Sequence, residues 1–111
     1  MRLYDRIEFL EFFDTEKILD EEAGLFEYYV TSPEGITFDV YINLYECTIC
    51  FTLTSKDNTD LVDFAFHNMH TVVCDTNKPG SIYFLFYQEG KEDPVVTALI
   101  KPVIALSLNT E

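Results

Sequence analysis

A chain of 111 residues with 48% hydrophobic and 15% aromatic side chains is too apolar to be disordered, and it is long enough to bury roughly 65% of its unfolded surface in one core. Twenty acids against seven Lys and Arg give a net charge of −13, which repels nucleic acid and anionic membranes and attracts basic partners. No apolar run approaches the roughly 20 residues of a membrane span, the start MRLYDRIEFLEFF is not a signal peptide, and three cysteines fit reduced thiols, so a soluble cytoplasmic protein is expected.

The first predicted element covers residues 2–13, where Leu3, Ile7, Leu10 and Phe13 recur at helical spacing. This predicts a short amphipathic helix with those four on one face and Asp5, Glu8 and Glu11 on the other, while Ile7, Phe9 and Phe13 also fit a strand phase. Asp14 or Thr15 is a suitable cap for a second short helix, EKILDEEA, ended by Gly24. Asp20, Glu21 and Glu22 then oppose the macrodipole at its C-terminal end. Local stability does not favour acids there, which points to another use for them or to simple tolerance.

From residue 25 onward the pattern is strand and turn. LFEYYVT (25–31) runs into Ser32-Pro33-Glu34-Gly35, a hairpin by its Pro and Gly. Residues 36–54 contain neither Gly nor Pro and carry two alternating stripes. Ile36, Phe38, Val40 and Ile42 make the first; Cys47, Ile49, Phe51 and Leu53 make the second. The phase slips between Leu44 and Cys47, which predicts two strands joined at Tyr45-Glu46. After a polar turn at 55–60, Val62, Phe64 and Phe66 form another stripe. His67-Asn68 breaks it before MHTVVCD, so a bulge or corner is expected. Lys78-Pro79-Gly80-Ser81 is a turn, and SIYFLFYQ, apolar on both faces, reads as a central or helix-covered strand. A charged loop at 88–94 precedes VVTALIK and VIALSLN, separated by Pro102, which marks a bend or an edge strand.

The pattern predicts a mainly β fold: an antiparallel β-sandwich or barrel of seven to eight strands with a short helical N-terminal segment. One domain, 1–111, is expected, with a helical segment at 1–24 packed on a β-sandwich at 25–109.

Chemical signatures are sparse. Cys47 and Cys50 form a C-x-x-C spacing, but on a strand residues three apart point to opposite faces. With His67, His70 and Cys74 they have a zinc-like composition without the helix or knuckle that a zinc site needs. The simpler reading is small apolar packing for Cys47 and histidines at a strand corner. Ser32, Ser55, Ser81 and Ser107 lack a nucleophile setting, and glycines scattered in turns do not cradle a phosphate. Asp57/Asp60 and Glu92/Asp93 lack the alternating oxygen ligands of a calcium loop and read as solvated tips. No enzyme, metal or cofactor is expected.

What remains is a folded scaffold displaying acids. Its strand pattern, the acidic stretch DTEKILDEEAGLFEYY and the charged loop QEGKEDP resemble the immunity proteins of bacterial contact-dependent growth-inhibition systems. The resemblance implies a cytoplasmic protein that binds and neutralises one cognate basic toxin domain, often a nuclease. The expected partner contacts are Asp20, Glu21, Glu22 and Glu27 with Tyr28 or Tyr29, then Glu89, Glu92 and Asp93. In that mechanism acids pair with the partner's Lys and Arg in place of substrate phosphates, and aromatics anchor the complex. The partner is then a basic protein, not nucleic acid or a membrane. Two alternatives draw on other features. One is a phage-type nucleic-acid mimic with acids spaced like phosphates; the other is a small zinc or thiol protein using the Cys/His set.

Overall fold

The computed structural model describes residues 3–57 and 59–109. Arg2 of the predicted helix and Asn58 of the predicted turn lie outside them. One short helix, α1 (Arg6–Phe12), comes first among the described residues. Strands β1 (Thr15–Asp20), β2 (Leu25–Thr31), β3 (Thr37–Asn43), β4 (Thr48–Thr54) and β5 (Asp60–Phe66) form one antiparallel sheet in chain order. Strands β6 (Met69–Asp75), β7 (Ile82–Gln88), β8 (Val96–Lys101) and β9 (Ala105–Leu108) form a second. Each strand pairs only with its sequence neighbours, and neither sheet closes into a barrel. Among the described residues no helix is long and apolar enough to cross a membrane.

The alternating stripes of β3 and β4 become largely buried faces, whereas in the β5 stripe Val62 is exposed and Phe64 and Phe66 are half-buried. Phe38, Val40 and Ile42 of β3 and Ile49 and Phe51 of β4 are buried with Phe84 and Phe86 of β7 and Val96 and Ala98 of β8. Phe51 meets Phe86 of the other sheet edge-on, with ring centroids 4.7 Å apart. The expected corner at His67-Asn68 is where the chain leaves one sheet for the other, with Asn68 at φ 57, a conformation Asn tolerates. The slip at Tyr45-Glu46 is the β3–β4 turn, closed by Cys47 at φ 53. β7 is central in its sheet, as its double apolar pattern predicts, and Pro102 separates β8 from the edge strand β9.

Three expectations are corrected. The second helix does not form: EKILD lies in β1, which pairs with β2 from Thr15↔Tyr29 to Asp20↔Leu25. Cross-strand pairing along the open edge of β2 outweighs the helix propensity of Glu, Lys and Leu. Gly24, at φ 70, serves the β1–β2 turn rather than a helix end, and residues 1–24 are not a purely helical segment. Among the described residues the strand count is accordingly nine rather than seven or eight.

Of the four residues expected on one helix face, Leu3 and Phe13 are buried, but Ile7 is 72% and Leu10 49% exposed, and the helix turns Phe9 inward instead. Phe9 packs against Tyr4, Tyr28 and Phe84 with centroids 4.8 to 4.9 Å apart. A Phe buries more apolar area than Ile or Leu, and edge-to-face ring pairs add to it. The helix therefore rotates to place its aromatics between the sheets. Leu3 and Tyr4 are buried too, but from the segment ahead of the helix.

A polar network fastens α1 to the first sheet. Arg6 donates from Nε and Nη2 to both oxygens of Glu16, each at 2.7 Å. The Tyr28 hydroxyl donates to Glu16 at 2.6 Å and sits 2.7 Å from the Tyr4 hydroxyl. Tyr28 is thus a fully buried core residue and not a partner contact, which corrects the expectation drawn for it. In an alternating strand Glu27 and Tyr29 point away from Phe26, Tyr28 and Val30, and the buried ring is the one with a hydroxyl partner waiting inside.

Candidate partner interface at one end of the sheets

Backbone bonds gather four connections at one end of the molecule. Leu44 N–H donates to Gly24 O at 2.9 Å, joining the β3–β4 turn to the β1–β2 turn. Met69 N–H donates to Cys47 O at 2.8 Å, joining that turn to the corner between the sheets. Glu89 N–H donates to Asn68 O at 2.8 Å, adding the β7–β8 loop. The two acidic segments predicted from sequence, Asp20-Glu21-Glu22 and Glu89 to Asp93, therefore share an end although nearly 70 residues separate them in the chain. Glu21, Glu22, Glu92 and Asp93 are exposed there, and Glu89 lies 3.0 Å from Nδ1 of His70.

At this end an apolar pocket of about 350 Å³ lies between the N-terminal segment Leu3–Ile7, the β3–β4 turn and the start of β6. Ile7, Phe26, Leu44, Tyr45, Cys47 and Met69 supply most of its wall. Tyr45, at the tip of the β3–β4 turn, is 72% exposed. Its ring lies against Gly24, where an added Cβ would stand 3.2 Å from both Leu44 and Tyr45. The bare glycine lets the two turns meet.

Sequence reasoning missed this pocket. Helical periodicity groups Ile7 with Leu3, Leu10 and Phe13, and Tyr45 stands in a strand connection. The available signal was an aromatic residue at a turn tip, where no neighbouring strand can cover it.

Glu27 and Tyr29 stand elsewhere, on the outward face of the first sheet. There Glu27 pairs with Tyr41, and Tyr29 with Asp39. Burial, reinforced by the neighbouring Glu27 carboxylate, pushes Asp39 up to about 8. This proximity has a pH consequence. A carboxyl raised from 3.8 keeps its proton in the folded chain but loses it on unfolding, so stability falls as pH rises from about 4 to about 8. Asp39→Asn is expected to gain stability over the parent across that window and hold a level gain above it. The plateau is at least about 1 kcal/mol and below the full worth of the shift at about 1.4 kcal/mol per pKa unit, because Asp39 is only half-buried and solvent screens it. Urea unfolding at pH 4, 6 and 9 measures this; a gain that does not grow with pH contradicts it.

The Cys/His set is dispersed. Cys47 is in a turn, Cys50 faces outward opposite Tyr41, and Cys74 packs on the core of the second sheet; all three are free thiols. Burial raises Cys50, and burial with Glu8, Glu11 and Asp75 nearby pushes Cys74 up to about 11. Thiols so shifted are poor nucleophiles at neutral pH. His67 Nδ1 lies 3.1 Å from Thr48 Oγ1. Among the described residues no three His, Cys, Asp or Glu side chains group as a metal site.

Compared with protein-family models, with curated proteins and with solved structures, the chain matches none.

Proposed function

We propose that this chain is an immunity-type protein acting in the cytoplasm: a sandwich-like scaffold whose loop end binds and neutralises a cognate basic toxin domain. The observation that supports this reading is that two acidic loops share one end of the molecule with an apolar pocket. A net charge of −13 draws a basic partner in from beyond contact range, and the pocket with Tyr45 supplies the desolvated centre that holds it. Asp20, Glu21, Glu22, Glu89, Glu92 and Asp93 pair with the partner's Lys and Arg and cover its active site. The role is binding without catalysis.

Co-expression with the product of the neighbouring open reading frame, followed by pull-down, identifies the partner. Association with it is expected to slow about tenfold or more between low and high salt, since exposed charges are screened beyond about 8 Å at physiological ionic strength. Replacing Glu21 and Glu22 by Lys slows association while changing stability by no more than about 0.5 kcal/mol. An acidic partner, or an association rate indifferent to salt and to this double reversal, refutes the proposal.

A further inference from the structure

We infer that the apolar pocket at the loop end is a socket for one aliphatic or aromatic side chain of a basic protein segment, with Lys or Arg on either side of that residue. The inference rests on the acidic-interface reading and specifies what the interface recognises.

Four observations carry it. At about 350 Å³ the pocket is at the small end of the roughly 300–1,000 Å³ range of ligand sites and has room for one large side chain. Its wall is already built: Leu44, Cys47 and Met69 are locked by the backbone bonds to Gly24 O, Leu44 O and Cys47 O. A preformed wall spares a ligand the cost of ordering it. At the mouth, Ile7 and Tyr45 are each 72% exposed, two large apolar side chains that the fold itself leaves uncovered.

The rim is also biased in charge. Arg6 is taken up by both oxygens of Glu16, and His70 faces Glu89 at 3.0 Å. Asp5, which also accepts from Ile7 N–H, is the acid lining the pocket, and exposed Glu46 follows Tyr45 in the chain, so uncompensated negative charge stands nearest an incoming group. A basic segment complements that rim, whereas a second copy of this chain brings a charge of −13 against it.

The test titrates capped pentapeptides into the full-length, ¹⁵N-labelled protein at low salt. The probes are Lys-Lys-Phe-Lys-Lys, Lys-Lys-Gly-Lys-Lys and Glu-Glu-Phe-Glu-Glu, with N-acetylphenylalanine amide as a lone ring. The Phe-centred basic peptide is expected to shift the amides of Ile7, Cys47 and Met69 and to bind at least about fivefold tighter than its Gly counterpart. Ile7→Ala with Tyr45→Ala, both at exposed positions, should erase that difference.

Equal affinity of the two basic peptides, with no shift at Cys47 or Met69, overturns the socket. Binding of the acidic peptide or of the lone ring as tight as that of the basic Phe peptide overturns the basic segment as its occupant. The Gly-centred basic peptide reports separately on the acidic rim. Its failure to bind removes the interface reading even where a preference for Phe survives.

Discussion

Phe9→Ala is expected to lower the unfolding free energy by about 3–5 kcal/mol, the usual range for emptying a buried Phe site. The ring is fully buried and touches Tyr4, Phe13, Tyr28 and Phe84, so residues from the N-terminal segment, the helix and both sheets lose a common contact. Its neighbours are held by two sheets and cannot collapse into the space, which places the loss toward the upper part of that range. For a chain of this length about 4 °C of melting temperature goes with each kcal/mol, so a fall of roughly 12–20 °C follows. Ile7→Ala, two residues earlier on the same helix, should change stability by no more than about 0.5 kcal/mol. Thermal and urea unfolding of the two variants side by side checks which face of α1 is buried. Comparable losses would mean that Ile7 shares the core with Phe9.

Glu16→Gln is expected to cost about 1.5–3 kcal/mol at pH 7, the range for losing charge-assisted hydrogen bonds. Only 9% of the Glu16 side chain is exposed, and it accepts from Arg6 twice and from Tyr28 once. A neutral amide satisfies the guanidinium poorly and turns a donor toward donors. The Arg6 bonds and the Tyr28 hydroxyl hold the Glu16 carboxyl below its ordinary 4.5, against the opposing effect of burial. A group so lowered contributes stability above pH 4.5 and loses it as pH falls through its folded value. The gap between parent and variant should therefore narrow below about pH 4, the opposite trend to that of Asp39. Burial and the adjacent carboxylate raise the Tyr28 hydroxyl, so it stays a donor throughout this range. Urea midpoints at pH 3, 5 and 7 decide it; a gap independent of pH would show that the charge of the Glu16 carboxylate is not what holds the network.

Much of the fold was legible because period-two alternation depends on the backbone alone. The stripes at Phe38, Val40 and Ile42 and at Ile49 and Phe51 had only one face to bury. The breaks at Tyr45-Glu46 and His67-Asn68 needed no tertiary information to be seen as turns. The N-terminal segment was read wrongly because its local signals conflicted. EKILD has helix-forming composition, and the strand it forms is paid for by β2, a partner invisible in a sequence window. RIEFLEF is helical as expected, but which side faces in depended on ring packing against Tyr28 and Phe84.

The candidate interface divides along the same line. By itself the sequence determined the acidic character, the strand periodicity and the turn positions, because charge and alternation are properties of the chain that survive any arrangement. Only the tertiary structure decided that Tyr28 is inside and Tyr45 outside, that Glu21 and Glu89 share an end, and that an apolar pocket opens at that end. Those facts follow from strand register and from the corner at Asn68, which carries the chain from one sheet to the other. Register is set by the pairing of many residues at once, and no single segment encodes it.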